Sequence, residues 1–145
     1  GLHGVDLLPG RVAAARAAVP GADVRVADVR SLPFDDESFD TIFFFTVLSS
    51  LPSARAVQEA LREARRVLAP GGRLAVWEPR VPTANRATRL VRRGEMRAAA
   101  GRPIADVTLT LTPPLARRLG RATGRLYEPL ARVPLLRTHR LTIYG

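Results

Sequence analysis

The chain has 145 residues, 46% of them hydrophobic and 25% charged, which is enough for one globular domain with its own core. No apolar run approaches the roughly 20 residues of a membrane-spanning helix, and the lack of cysteine excludes disulfides and Cys-based metal sites and makes a cytoplasmic location the default expectation. The net charge of +10 does not by itself indicate a nucleic-acid partner, because all 23 basic residues are arginine, a pattern typical of GC-rich coding bias.

The first residues predict an alternation of strands and a helix. A short apolar stretch predicts a strand near 2–6, and the alanine-rich segment that follows predicts a helix over 9–19 with Pro9 in its first turn. Alternating valines predict a second strand over 23–28. The continuous apolar run "TIFFFTVL" is typical of a parallel strand covered on both faces, here over 40–46.

The middle of the chain continues the alternation. Apolar residues at three- and four-residue spacing predict a helix over 53–68 with Ser53 as its N-cap, ended by the sequence "PGG". The segment "RLAVWEP" then predicts a buried strand over 73–78. Strands separated by crossovers of helix length indicate an α/β fold with a parallel sheet.

The end of the chain has a weaker pattern. A helix is predicted over 84–100, followed by a strand at "DVTLTLT". Thr112 and the two prolines after it predict the start of another helix at "LARRLGRA", and "HRLTIY" predicts a terminal strand. Residues 1–145 are therefore interpreted as one domain.

Charge is distributed unevenly between the two halves. Residues 1–78 contain 9 arginines and 10 acidic residues, whereas residues 79–145 contain 14 arginines and 3 acidic residues. An electropositive second half favours an anionic substrate, an acidic partner or peripheral contact with a lipid surface. A solvated arginine-rich surface is the simpler interpretation.

Two acidic residues stand where the first two predicted strands end. Ligands of open parallel sheets bind at the carboxyl ends of the strands. Asp6 could there accept hydrogen bonds from both hydroxyls of a ribose, and Asp28 could accept one from the amino group of an adenine. Each alone could be a turn or cap residue, but the pair in register predicts a nucleoside site.

Three segments together resemble a known family. They are "GVDLLPG", "VRVADVRSLPFDDESFDTIFFFTVLSSLP" and "ALREARRVLAPGGRLAVWEP", and they cover most of residues 1–79. The chain resembles the class I methyltransferases, in particular the small-molecule enzymes described as type 11 or type 25 methyltransferase domains. The resemblance implies a Rossmann-like, doubly wound, mostly parallel sheet and S-adenosylmethionine as cofactor. It also implies a cofactor-binding half, 1–79, and an Arg-rich substrate-side half, 80–145.

The resemblance also implies roles for individual residues. The acid that matches Asp6 binds the ribose of S-adenosylmethionine, and the residue that matches Leu7 packs on the adenine. Asp28 and its neighbour Val29 correspond to residues that contact the adenine edge. The backbone after the strand that ends near Thr46 corresponds to the part that approaches the methionine end of the cofactor.

The chain departs from the family pattern in two places. Family members carry a strand and a glycine-rich loop before the strand that ends at Asp6, and these 145 residues contain no such segment. We therefore expect a chain that is incomplete at its amino end, in which the 40–46 strand is not paired with the Asp6 strand. The second departure is at Ser49 and Ser50, where the family commonly has paired histidines.

The predicted function is methyl transfer from S-adenosylmethionine to a small-molecule acceptor, anionic or lipid-like. The sequence "TVLSSL" stands where amino-methylating relatives have an Asn-Pro-Pro-aromatic signature, which argues against nucleic-acid bases as acceptors. No catalytic residue and no metal site are predicted, because methyl transfer from a sulfonium depends mainly on orientation. Glu78 and Tyr127 are possible pocket residues, for which a structural role is the first interpretation, as it is for His3, His139 and Tyr144.

Two other functions stay open at this point. A nicotinamide-dependent Rossmann oxidoreductase would also use a strand-end acid to bind a ribose, although hydride transfer needs neither Asp28 nor the turns "LPFDDESFD" and "RVLAPGG". The other alternative is a non-catalytic remnant that serves as an interaction module through its arginine-rich half.

Overall fold

The computed structural model describes residues 1–82, 85, 87–111, 127, 129, 130, 132, 133 and 136–145. The predicted alternation of strands and helices is confirmed, and its elements begin and end within a few residues of the predicted positions, apart from the two differences described below. In chain order the elements are β1 (His3–Asp6), α1 (Pro9–Ala18), β2 (Asp23–Val26), β3 (Phe39–Phe45), a 3-10 turn (Leu48–Ser50), α2 (Ala54–Val67), β4 (Leu68–Pro79), α3 (Arg93–Ala100), β5 (Ala105–Leu111) and β6 (Arg137–Tyr144).

The strands form two separate hydrogen-bonded sheets. One sheet consists of β1 and β2, which are parallel. The other has the order β3-β4-β6-β5, in which β3 and β4 are parallel and β6 is antiparallel to both of its neighbours. No hydrogen bonds join β1 to β3, as predicted, so each of these strands has one edge without a neighbouring strand among the residues that the structure describes.

The amino ends of β1 and β3 nevertheless lie near each other. The rings of His3 and Phe39, the first residues of the two strands, are 5.4 Å apart, and Phe34 contacts both. A ring centroid lies roughly 4 Å from its Cα atom, so the two Cα atoms are at most about 13 Å apart. Strands in a sheet are spaced by about 4.8 Å. At their amino ends, the space between β1 and β3 therefore fits at most one additional strand.

The hydrophobic core lies on one face of the four-stranded sheet, under α2 and α3. Helix α2 is amphipathic and buries the same face that the sequence pattern predicted. The buried core consists of Phe44, Leu48, Val57, Ala60, Leu61, Ala64, Leu68, Leu74, Val76, Val91, Met96, Ala100 and Tyr144. On the other face of the sheet, Phe43 and Phe45 are 52% and 60% exposed. The prediction that this strand, β3, is covered on both faces is therefore wrong, because the described helices α2 and α3 pack on one face only.

The loop from β2 to β3 is held against α2 by one arginine. The Arg66 guanidinium donates hydrogen bonds to the carbonyl oxygens of Leu32 and Phe34 and forms ion pairs with Asp36 and Glu63. Glu63 in turn accepts a hydrogen bond from the Leu32 amide. These contacts fix the segment "LPFDDESFD" without a crossover helix and tie the two-stranded sheet to the core.

Strand β4 begins earlier than predicted. It starts at Leu68, which is the residue opposite Phe39, and the register then shifts so that Arg73 is opposite Thr41. The sequence "PGG" lies within this irregularity rather than before the strand. Gly71 has a φ of +78°, and a Cβ atom at Gly72 would lie 2.9 Å from the Ala69 carbonyl oxygen, so both positions favour glycine.

The predicted helix over 84–100 is wrong in its length, because α3 includes only Arg93–Ala100. The residues immediately before α3 make tertiary contacts instead of helical hydrogen bonds. Arg89 donates its backbone N–H to the Ser49 carbonyl and its guanidinium hydrogen bonds to the Leu51 carbonyl and the Glu95 carboxylate. These tertiary contacts replace the helical hydrogen bonds that local propensity favoured.

At the end of the chain, the strand predictions "DVTLTLT" and "HRLTIY" are confirmed as β5 and β6. The helix predicted at "LARRLGRA" lies outside the described residues. Among the helices that the structure describes, none is long and apolar enough to cross a membrane.

Candidate functional site

Polar residues stand at the carboxyl ends of four strands. Asp6 is the last residue of β1, and Asp28 follows β2 by two residues. Thr46 directly follows β3, and Glu78 is the penultimate residue of β4. Because parallel strands present their carboxyl ends at one edge of a sheet, the corresponding edges of the two sheets are where a ligand would bind.

Asp6 keeps most of its hydrogen-bonding capacity. Its Oδ1 accepts a hydrogen bond from the Leu8 amide at 2.8 Å, which fixes the direction of the carboxylate. Its Oδ2 is 3.6 Å from the guanidinium of Arg11, an exposed side chain whose ion pair is worth little. A carboxylate offers about four acceptor positions, so Asp6 can still accept both hydroxyls of a ribose.

A cavity of about 410 Å³ lies beside β1, with α1 on its other side. Its lining includes Asp6, Arg11, Ala15 and Val24. The volume is in the range of small-molecule pockets, but Asp28, Thr46 and Glu78 are not part of the lining. The cavity therefore includes Asp6 but not the other three residues at the strand ends.

Asp28 is more fully engaged than Asp6. The Arg30 backbone amide donates to its carboxylate at 2.9 Å, and the Arg30 guanidinium donates to both carboxylate oxygens at 2.6–3.1 Å. The side-chain hydrogen bonds from Arg30 hold the pKa of Asp28 below its usual value. Asp28 is therefore ionised at neutral pH, and a ligand donor there would have to share the carboxylate with Arg30.

The two apolar candidates lie in different surroundings. The Leu7 side chain is 64% exposed next to Asp6, where it could pack on a flat ligand. Val29 is partly buried and packs against the main core, so it links the loop after β2 to the four-stranded sheet.

Thr46 has a strained backbone conformation. Its φ is +54°, in the left-handed region that β-branched residues rarely adopt. Its amide donates a hydrogen bond of 2.8 Å to the Trp77 carbonyl, so β3 ends and changes direction at this residue. Strain of this kind costs about 1–3 kcal/mol and is frequent at functional sites. We call residues Thr46–Ser50 the β3–α2 turn.

Glu78 reaches from β4 into the β3–α2 turn. Its two carboxylate oxygens accept hydrogen bonds from the amides of Leu48 at 2.7 Å and Ser49 at 3.1 Å. The side chain is 4% exposed, and this burial raises the pKa of Glu78 above its usual value, although hydrogen bonds from residues 47–49 oppose the shift. The carboxylate is thus a structural part of the turn at the strand edge.

Aromatic side chains form a row across the face of the four-stranded sheet. Phe45 stacks on Trp77 with ring centroids 5.7 Å apart, and Trp77 stacks on His139 at 5.6 Å. Burial lowers the pKa of His139, so its ring is neutral at physiological pH. Phe45 is the last residue of β3 and His139 is opposite Pro79, the last residue of β4, so the row lies close to these strand ends.

The sequence predicted that Asp6 and Asp28 lie at strand ends, but it did not predict the partners of the residues at these ends. The engagement of Asp28 by Arg30, the left-handed Thr46 and the hydrogen bonds of Glu78 all depend on tertiary positions. Glu78 could have been grouped with Asp6 and Asp28, since it also is an acid at the end of an apolar strand. Among the described residues, no group of three His, Cys, Asp or Glu side chains is arranged to hold a metal ion.

The chain is similar to known methyltransferases in sequence. A family model described as a methyltransferase domain matches residues 2–76, just over half of the chain. The chain is 47% identical over 51 residues to the ubiquinone/menaquinone biosynthesis C-methyltransferase UbiE of Paracoccus denitrificans, a match that covers 35% of this chain and 19% of that protein. It is 42% identical over 79 residues to the demethylmenaquinone methyltransferase of Thermus thermophilus, covering 52% of this chain and 34% of that protein.

The fold is shared with solved structures over nearly the whole chain. A SAM-dependent methyltransferase from Methanosarcina mazei superposes with a TM-score of 0.64 at 15% identity, over 97% of this chain and 79% of that one. The chain spans less than two thirds of the curated relatives that it matches.

Proposed function

Because the chain belongs to the methyltransferase domain family, we propose that it forms most of a methyltransferase domain that transfers a methyl group from S-adenosylmethionine to a small-molecule acceptor. The observation that carries the proposal is the pair of acids, Asp6 and Asp28, at the adjacent ends of two parallel strands. Residues 1–79 would bind the cofactor, and residues 80–145 would lie on the acceptor side.

We assign the adenosine part of the cofactor to the ends of β1 and β2. Asp6 would accept the ribose hydroxyls, with Leu7 against the adenine, and Asp28 and Val29 would meet the adenine edge. The hydrogen bonds support the ribose assignment more strongly, because Asp6 has free acceptor positions whereas Arg30 already makes several contacts with Asp28. The backbone after Thr46 would approach the methionine part.

The methionine part needs donors that this chain does not supply from a glycine-rich loop. Its carboxylate and ammonium lose water on binding, and backbone amides at a loop or helix start commonly replace that water for an anion. We propose that a strand and loop on the amino side of Gly1 fill the space between β1 and β3. The edges of β1 and β3 that are not paired with each other support this, and the separation of their amino ends allows at most one strand.

Chemistry at the acceptor would depend on placement. The sulfonium supplies an activated methyl group, and transfer requires in-line approach of a nucleophile in a site that excludes water. The role of this chain would be to orient the two reactants, and we assign no side chain as a general base.

Calorimetry on two proteins tests the proposal. One is the 145-residue chain, and the other is an extended chain in which the sequence preceding the matched region of the Thermus thermophilus relative is fused before Gly1. We expect S-adenosylmethionine to bind the extended chain and not the shorter one. Micromolar binding by the shorter chain would contradict the need for a further strand, and a folded extended chain that does not bind would contradict the cofactor assignment.

We further propose a lipid-like acceptor with a planar ring. The aromatic row of Phe45, Trp77 and His139 would accommodate such a ring, and both curated relatives cited above are named for quinone-pathway methylation. Trp77 is the sole tryptophan, so its fluorescence reports on this surface directly. Saturable quenching by a short-chain quinol, weakened in Phe45→Ala, is the expected result, and equal quenching in both proteins would indicate mere collision.

A further inference from the structure

We propose that Glu78 is a positioning residue of the cofactor site: its carboxylate holds the β3–α2 turn in the conformation in which the turn backbone meets the methionine part of S-adenosylmethionine. The inference rests on the proposed function. Its basis is the pair of hydrogen bonds of 2.7 and 3.1 Å from Leu48 and Ser49 to the two oxygens of a nearly inaccessible carboxylate.

A carboxylate is a costly side chain for this position. Burying an ion costs several kcal/mol unless partners replace the lost water. The hydrogen bonds that oppose the rise in the pKa of Glu78 all come from Val47, Leu48 or Ser49. An apolar side chain would avoid the cost but would leave the turn amides buried and without acceptors. The carboxylate is therefore suited to fixing the turn more than to stabilising the core.

The opposite side of the turn is held by the segment before α3. Arg89 donates its backbone N–H to the Ser49 carbonyl at 2.9 Å, and its guanidinium bonds the Leu51 carbonyl. The same guanidinium pairs with Glu95 at 2.7 Å. Glu78 and Arg89 thus restrain the turn from two distant segments of the chain, close to the left-handed Thr46.

Loss of the carboxylate should release the turn without disrupting the fold. In Glu78→Gln the side chain keeps its volume, but its amide nitrogen cannot accept a hydrogen bond, so one of the two backbone N–H groups loses its partner. The turn can then relax toward an ordinary backbone conformation. The carbonyl and amide groups of Thr46 and Val47 would no longer be aligned for the cofactor.

A matched control is available on the same crossover. Ser53 caps α2 by accepting a hydrogen bond from the Ala56 amide at 3.1 Å, and it is exposed. Like Glu78→Gln, Ser53→Ala removes a side-chain acceptor from a backbone amide, but it does so outside the proposed site. A merely structural role of Glu78 predicts that both variants lose stability and neither loses cofactor affinity.

Two measurements decide the inference. In the 145-residue chain, amide hydrogen exchange at Leu48 or Ser49 should become about tenfold faster in Glu78→Gln, with no change at the core strand β4. In the extended chain, cofactor affinity should fall about tenfold or more in Glu78→Gln and stay unchanged in Ser53→Ala. Glu78→Asp, which keeps the charge on a shorter side chain, should give intermediate values in both measurements.

The outcomes separate this inference from the proposed function. Unchanged exchange at both amides, or unchanged cofactor affinity in Glu78→Gln, would overturn the positioning role while leaving the methyltransferase proposal intact. Failure of the wild-type extended chain to bind the cofactor would overturn the proposed function, and the positioning role with it.

Discussion

The β1–α1–β2 unit and the four-stranded sheet differ greatly in how much they bury. Within residues 1–40, Val12 is the single buried side chain, whereas α2 alone buries Ala56, Val57, Ala60, Leu61, Ala64 and Val67. Yet the unit with little core contributes Asp6 and Asp28 to the candidate site. The comparison indicates that stability and ligand recognition are divided between the two regions, as expected where binding elements belong to the less stable part of a fold.

The largest effect is expected when the same Leu→Ala substitution is made in each of the two regions. Leu61 is fully buried in α2 and Leu7 is 64% exposed after β1. Leu61→Ala should lower the free energy of unfolding by about 2–5 kcal/mol because it leaves a cavity, whereas Leu7→Ala should change it by less than about 0.5 kcal/mol. Urea denaturation of both variants measures the difference. Similar losses would show that the first unit contributes a comparable core.

The next effect concerns ligand binding by the first unit. Asp6→Ala in the extended chain should weaken S-adenosylmethionine binding by about 1.5–3 kcal/mol, roughly tenfold to a hundredfold, since hydrogen bonds to a charged acceptor are lost. Asp23 is a matched control, because it starts β2 at the opposite edge and pairs with Arg25. Calorimetry should show normal affinity for Asp23→Ala. Equal affinity of wild type and Asp6→Ala would remove Asp6 from the site.

A smaller effect should distinguish the turn from the strand that leads into it. Thr46→Gly should raise the free energy of unfolding by about 1 kcal/mol, because glycine accepts a positive φ without strain. Thr41 lies within β3 and has no positive φ, so glycine there should lower the same quantity by about 0.5–1 kcal/mol. Thermal unfolding of the two variants shows whether each substitution raises or lowers stability. A loss of stability in both would show that Thr46 is not strained in solution.

The smallest effect is a difference in the pH dependence of stability. Burial raises the pKa of Glu78, so the folded state holds this proton more tightly than the unfolded state. Its contribution is present below the usual pKa of 4.5 and is lost as the pH rises through the higher folded value. The hydrogen bonds from Arg89 lower the pKa of Glu95, whose contribution is present above 4.5 and is lost as the pH falls.

Denaturation across this pH range should therefore show opposite pH dependences of stability for two variants. The stability of wild type relative to Glu78→Gln should decrease as the pH rises above 4.5, and that relative to Glu95→Gln should decrease as the pH falls below it. Parallel slopes for the two variants would contradict the difference in burial between the two carboxyl groups.

The amino-acid sequence by itself determined the elements whose patterns are local. Alternating valines specify β2, the apolar run specifies β3, and the three- and four-residue spacing specifies the buried face of α2. The resemblance to the family implied that β1 and β3 would not pair, since the family's arrangement has a strand between them. The sequence also predicted that Asp6 and Asp28 lie at or just after strand ends.

Only the tertiary structure decided how the site residues are held. Glu78 and Leu48 are 30 positions apart, and Arg89 and Leu51 are 38 apart, so no local period encodes their contacts. The same contacts of Arg89 override the helical pattern before α3. Secondary structure follows from interactions between near neighbours in sequence, whereas a buried carboxylate finds its donors only when distant segments have packed, and that packing also sets the conformation of Thr46.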